Sequence, residues 1–113
     1  MAPSASMEAL RRKRDEALAR PFPLTADLPD EFDDLFATWT DLRDQAIPAA
    51  NAILEGRILR ASDVRFRGLG RVRRRLATLE KKHPDIAGEY VGCFRALEAL
   101  IKAVRETGRA APT

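Results

Sequence analysis

Residues 28–55 read LPDEFDDLFATWTDLRDQAIPAANAILE, and this stretch decides the fold. Its apolar side chains recur in steps that alternate between four and three residues, at Leu28, Phe32, Leu35, Trp39, Leu42, Ala46, Ala49 and Ile53. That period is typical of a helix packed along its length against another helix. Pro29 suits a first helical turn and Gly56 a C-terminal stop, so the sequence predicts a helix over about 29–55.

Pro48 lies inside this predicted helix. Proline has no N–H to donate and its ring crowds the carbonyl one turn earlier, here that of Asp44. We therefore expect a kink or a break near Pro48. Around it, Ile47, Ala50 and Leu54 form a second apolar stripe, rotated from the first as a redirected helix requires.

Two further long helices have a clear apolar period. The first, about 63–82, has Ser62 and Asp63 as its cap and buried positions at Phe66, Leu69, Val72, Leu76 and Leu79. It is expected to stop at His83, because a residue before proline disfavours helical dihedral angles. The second, about 85–107, has buried positions at Ala87, Tyr90, Phe94, Leu97, Ile101 and Val104, with Gly108 as its stop.

These two helices carry further signals. Gly68 and Gly70 weaken the first half of the 63–82 helix by about 1 kcal/mol each relative to alanine, so that half is expected to start late or fray. Beside the main seam of the 85–107 helix lies another, formed by Ile86, Cys93 and Leu100, each seven residues apart. So wide an apolar arc is typical of a central helix with several neighbours, although an oligomer contact would have the same pattern.

A shorter helix is predicted over about 7–19, with Ser6 as its N-cap. Its large apolar residues are Met7, Leu10 and Leu18, so it has little to bury. Together the patterns predict one all-α domain over residues 1–113. We expect an antiparallel helical bundle of three long helices with a short N-terminal helix added, and disordered tails at 1–6 and 109–113.

The composition narrows the class of protein. Cys93 is the single cysteine and has no partner for an internal disulfide, so a reducing, cytoplasmic compartment is expected. No run of about 18 apolar residues is free of charges, so no membrane span is expected. Residues 1–20 lack the apolar core of a signal peptide.

No motif of catalysis is recognisable. We interpret His83, the single histidine, as a helix-capping residue and Cys93 as a small buried side chain. The segment Gly68-Leu69-Gly70-Arg71 does not complete a phosphate-binding loop, because Arg73 stands where the third glycine belongs and no strand precedes it. The acids of the 29–55 helix lack the spacing of a metal site. We expect a protein that is not an enzyme and has no cofactor, metal or small-molecule substrate.

Charge is unevenly distributed along the chain. The net charge is only +3, but residues 27–55 carry eight acids against Arg43, a net −7, and residues 57–82 carry ten bases against two acids, a net +8. Arginine outnumbers lysine 16 to 4. This bias suits bidentate recognition of carboxylate or phosphate, but it is also typical of a GC-rich genome, which we weight more heavily.

The basic run is the strongest functional signal. With positions 69, 72, 76 and 79 turned inward, helical phasing places Arg67, Arg71, Arg74 and Lys81 outward, with Arg73 and Arg75 on the flanks and Arg60 extending the line. The same helical phasing places the acids of the 29–55 helix outward. We therefore expect the molecule to have one acidic and one basic side. The alternative is that the arginines pair internally with those acids.

Two functions fit such a basic face. The first is an interaction protein, an adaptor or a subunit of a larger assembly, that docks an acidic protein partner on the arginine face. The second is a protein that contacts the nucleic-acid backbone through the same face, without reading bases. The seam at Ile86, Cys93 and Leu100 is a further candidate, as a contact in a homo-oligomer.

Overall fold

A computed structural model describes residues 2–23, 28–60 and 65–110, with side chains described over 7–23, 28–60 and 65–107. Within these ranges four α-helices follow one another: α1 (Ala2–Ala19), α2 (Asp34–Leu54), α3 (Leu69–Lys82) and α4 (Pro84–Ala110). A single 3₁₀ turn, Asp30–Phe32, precedes α2, and no strand occurs among the described residues. The expectation of an all-α fold is confirmed.

Helix α2 begins at Asp34 and not at the predicted residue 29, because the 3₁₀ turn Asp30–Phe32 precedes it, but it follows the predicted seam closely. Phe32, Leu35, Trp39, Leu42, Ala46, Ala49 and Ile53 are all buried. The chain leaves the helix after Leu54 through Gly56, whose φ of +85° lies in the left-handed region that glycine tolerates best. The N–H of Gly56 donates to the carbonyl of Ile53 and that of Arg57 to the carbonyl of Ala52, each at 2.9 Å, which completes a Schellman motif.

Of the kink or break expected near Pro48, the break does not occur: α2 continues through this residue to Leu54. Pro48 and Asp44 are both exposed, so the carbonyl of Asp44 that loses its donor faces solvent and can be hydrated. Ala50 of the rotated stripe is fully buried, and Ile47 and Leu54 pack at the edge of the core.

Helix α3 begins later than the predicted residue 63. Residues 65–68 are not helical, and Gly68 adopts a φ of +92° directly before Leu69. The late start agrees with the weakening expected from the two glycines. The predicted caps Ser62 and Asp63 lie outside the described residues.

Helix α1 corrects the prediction of a short N-terminal helix over 7–19. It has 18 residues, more than the 14 of α3, and it begins at Ala2, so Ser6 lies inside it and is not its cap. Leu10 and Ala17 are buried against the core, and Arg14 donates to the side-chain oxygen of Asn51 on α2 at 2.9 Å. Small residues such as Ala17 bury well when helices approach closely, which a count of large apolar residues misses.

Helix α4 is the centre of the bundle and contacts α1, α2 and α3. All six positions of its predicted main seam are buried, so its central role is confirmed. Its backbone continues past the predicted stop at Gly108 to Ala110. Parts of the predicted tails, residues 2–6 and 109–110, therefore belong to helices, whereas residues 1 and 111–113 lie outside the described residues.

An aromatic cluster closes the core beyond the end of α1. Phe22 is buried, and its ring centroid lies 5.8 Å from that of Trp39, 5.1 Å from that of Tyr90 and 6.3 Å from that of Phe94. These tilted and edge-on arrangements are the favoured ones for aromatic pairs. The cluster joins the segment after α1 to both α2 and α4.

Candidate basic interface

Part of the basic run pairs internally with the start of α2. Arg71 Nη2 lies 3.5 Å from one carboxylate oxygen of Asp34, and Arg75 Nη2 lies 3.1 Å from the other. Lys82 Nζ lies 3.6 Å from a carboxylate oxygen of Glu31. The expectation of fully separate acidic and basic sides is therefore wrong at the α2–α3 seam, because α3 packs beside α2 and brings opposite charges within reach.

Arg75 is the most deeply held of these bases. Its guanidinium also donates to the backbone carbonyl of Glu31 and lies 4.8 Å from the centre of the Phe32 ring. Its side chain is only 31% exposed. Such a guanidinium fixes α3 to the start of α2, so Arg75 belongs to the fold and not to a docking surface.

Three of the predicted cations stay in solvent. Arg67, Arg74 and Lys81 are exposed and make no ion pair with any described residue. Arg67 precedes α3 instead of lying on it, and Arg60 is exposed in the segment after α2. The predicted stripe is thus divided into internally paired members and solvated members.

The remaining predicted cation, Arg73, points toward α4 and lines a groove. Its Nε donates to a carboxylate oxygen of Glu98 across the α3–α4 boundary. The groove has a volume of about 530 Å³, and its cationic side chains are Arg73, Arg95, Lys102 and Arg105. Glu98 and Glu106 also line it, and the buried side chains of Leu69 and Ile101 form an apolar floor.

The groove continues beyond the Arg73–Glu98 pair into a smaller cavity of about 140 Å³. The two cavities share Leu69, Arg73, Arg95 and Glu98, so the ion pair lies at their junction. Apolar side chains of α3 and α4 line the smaller cavity, among them Val72, Leu76, Val91 and Phe94. The interface thus combines a cationic rim with an apolar base.

Sequence reasoning missed the α4 half of this interface. Arg95 and Lys102 lie seven residues apart, each directly after a buried seam position, Phe94 or Ile101. That spacing places both cations on one edge of the helix and is a readable signal. Arg105 is also held there, with its guanidinium 5.4 Å from the centre of the Phe66 ring.

The residues of the predicted oligomer seam lie in or against the core of the chain. Cys93 and Leu100 lie in the core of the single chain, and Ile86 is half-buried against it. Because α4 is covered by three helices, two of the three seam positions are already used within the monomer. The wide apolar arc reflects the central place of α4, which was the other reading of the pattern.

Neither His83 nor Cys93 has the surroundings of a reactive group. His83 is the C-cap of α3. Its backbone N–H donates to the carbonyl of Leu79 at 2.7 Å, and its ring lies edge-on to that of Phe32. The thiol of Cys93 donates to the carbonyl of Tyr90, and burial raises the pKa of this thiol to about 12. Both positions agree with the structural roles expected from the sequence.

The described part of the chain contains no group of three or more His, Cys, Asp or Glu side chains arranged to hold a metal ion. Within the same residues, no helix has both the length and the apolar character needed to cross a membrane. No protein-family model matches the sequence, and neither a curated protein nor a solved structure is significantly similar to it.

Proposed function

We propose that this chain is a non-enzymatic interaction protein, an adaptor or a subunit of an assembly, that docks an acidic protein segment in the α3–α4 groove. The observation that carries the proposal is the groove itself, in which Arg73, Arg95 and Lys102 rim an apolar floor. Rim cations of this kind steer an acidic partner and set its register, and an apolar floor supplies burial.

The proposal moves the docking surface from the outer face of α3 toward α4. Arg71 and Arg75 already pair with Asp34, whereas Arg95 and Lys102 make no ion pair with a described residue. Unpaired cations bind a partner without first losing an internal contact. Arg74 and Arg67 remain exposed on the α3 side and would extend the positive field toward the partner.

An acidic protein fits this surface better than a nucleic-acid backbone does. Glu98 and Glu106 line the groove and Glu80 lines its smaller continuation, so a continuous run of phosphates would meet three carboxylates. The apolar floor also offers nothing to a phosphate backbone. A protein segment carries both carboxylates and apolar side chains and uses both parts of the groove.

The test is the binding of an end-blocked, fluorescein-labelled peptide that places glutamates and leucines at helical spacing, measured by fluorescence anisotropy. The double variant Arg95→Glu/Lys102→Glu should weaken binding about tenfold or more, since each reversal replaces an attraction of up to about 1 kcal/mol with a repulsion. The control is Arg11→Glu/Arg12→Glu, which makes the same change in net charge on the exposed face of α1.

Equal loss of binding in the two double variants would mean that only net charge matters, and the groove would be discarded as the site. A labelled DNA duplex serves as the second probe. If the duplex binds more tightly than the peptide, with a slope near −3.6 in log affinity against log salt for about four cations, the nucleic-acid alternative replaces this proposal.

A further inference from the structure

The ion pair between Arg73 and Glu98 is the feature of the groove that the proposed function leaves unexplained. The pair joins α3 to α4 at the junction of the two cavities, with the two side chains 61% and 35% exposed. An exposed pair of this kind contributes little to stability. It does, however, occupy Arg73, one of the two cations that line both the larger and the smaller cavity.

Glu98 is surrounded by cations on its own helix as well. Arg95 lies three residues before it and Lys102 four residues after it, so all three side chains share one edge of α4. Glu98 therefore presents a carboxylate to Arg73 between two further cations. A carboxylate from an acidic partner would meet the same three positive groups at this point of the groove.

We infer that Glu98 is an internal substitute for the partner's carboxylate, which displaces it from Arg73 when the partner docks. The inference rests on the proposed function and adds to it the kind of partner. The segment is acidic and amphipathic: one carboxylate replaces Glu98 at Arg73, and a neighbouring apolar side chain enters the smaller cavity between Leu76, Val91 and Phe94.

The exchange keeps every charge satisfied. Arg73 passes from one carboxylate to another, and Glu98 remains between Arg95 and Lys102, whose positive charges are within reach on its own helix. Partners without a carboxylate would have to leave Arg73 paired with Glu98 and the junction closed. The pair thus acts as a filter that favours acidic segments over neutral apolar ones.

The first test is Glu98→Gln with the same labelled peptide. Freeing Arg73 should tighten binding about two- to fivefold, the range that corresponds to an exposed ion pair. The matched control is Glu106→Gln, which removes the same charge from the same groove but from a residue with no ion pair to a described cation. It should tighten binding less.

A second variant tests the contact between Glu98 and Arg73 without changing the net charge. Glu98→Asp keeps the net charge but shortens the side chain by one methylene, so it should also tighten binding by withdrawing from Arg73. In an Arg73→Gln background, Glu98→Gln should have no effect beyond that of Glu106→Gln, because the partner of Glu98 is gone. Thermal melts of each variant verify that the bundle stays folded.

The outcomes distinguish the inference from the proposal beneath it. If the wild type binds the peptide and Arg95→Glu/Lys102→Glu abolishes binding, but Glu98→Gln and Glu106→Gln tighten it equally, the inference is overturned and the proposed function stands. If neither the wild type nor Glu98→Gln binds the peptide, the proposed function itself fails. Binding that appears only in Glu98→Gln or Glu98→Asp supports the inference.

Discussion

Neighbouring arginines in α3 have different roles although they look alike in sequence. Arg74 is exposed and makes no ion pair with a described residue, whereas the next residue, Arg75, reaches Asp34, the carbonyl of Glu31 and the ring of Phe32. A step of one residue turns the side chain by about 100° around the helix, which is enough to move it from solvent to the α2 boundary. Consecutive charged residues of a helix therefore do not form one continuous surface.

The thiol of Cys93 is expected to react slowly in the folded protein. Because Cys93 is only 4% exposed and burial raises the pKa of its thiol to about 12, it should react with a thiol reagent such as DTNB at pH 8 far more slowly in the native protein than in urea. Rapid labelling of the native chain would show that the region around Cys93 opens frequently.

The same burial gives a pH dependence with a defined direction. The unfolded thiol ionises near its ordinary pKa of 9.0 and the folded one near 12, so between these values the unfolded state releases a proton that the folded state keeps. The Cys93 contribution to stability therefore falls as pH rises through this window, by up to about 1.4 kcal/mol per pH unit. Urea titrations of the wild type and Cys93→Ala at matched pH isolate it.

At the scale of elements, sequence patterns predicted best the helices that bury a continuous stripe of large side chains. The seams of α2 and α4 were predicted correctly because their positions are buried in the core of this chain or pack against it. The contribution of α1 to the core was underestimated because part of its burial comes from the small residue Ala17 and from the position of α4, which local periodicity does not contain.

The candidate site, like the helices, could be predicted from the sequence only in part. Arg73 was found as part of the basic run, but Glu98, 25 residues away, meets it only because α3 and α4 dock side by side. Periodicity assigns each side chain to a face of its own helix and says nothing of which residue of another helix lies opposite. Contacts across helices, including the pairing of Asp34 with Arg71 and Arg75, follow from docking geometry alone.

Gly88 and Gly68 are expected to respond in opposite directions to replacement by alanine. Gly88 is exposed within α4, and a Cβ there would meet no atom within 4 Å, so Gly88→Ala should raise the free energy of unfolding by up to about 1 kcal/mol. Gly68→Ala is the contrasting change. Its φ of +92° is strained for alanine, and the variant should lose about 1 kcal/mol or more. Urea denaturation of both variants tests the two signs, and a gain at Gly68 would contradict the assigned turn.

At the scale of the whole molecule, one core cluster includes side chains from all four helices. A single core of this kind predicts one cooperative thermal transition with a helical circular dichroism spectrum. Separate transitions for α1 and for the other helices would show that the N-terminal helix folds independently.

Phe94 and Phe36 are expected to contribute unequally to the free energy of unfolding. Phe94 is buried and contacts the aromatic cluster, so Phe94→Ala should cost about 3 to 5 kcal/mol. Phe36 is 46% exposed and its ring lies edge-on to that of Phe22, with the centroids 5.3 Å apart, so Phe36→Ala should cost about 1 kcal/mol. Chemical denaturation measures both, and equal costs would mean that Phe36 is more deeply packed than described.

Trp39 gives the molecule an optical reporter of its own. It is the single tryptophan of the chain, it is buried in α2, and the guanidinium of Arg43 lies 5.0 Å from the centre of its ring. An indole in such surroundings emits at shorter wavelength than one in water, so unfolding shifts its fluorescence to the red. Trp39 does not line the α3–α4 groove, and its emission therefore follows the integrity of the bundle while a labelled peptide follows occupancy of the groove.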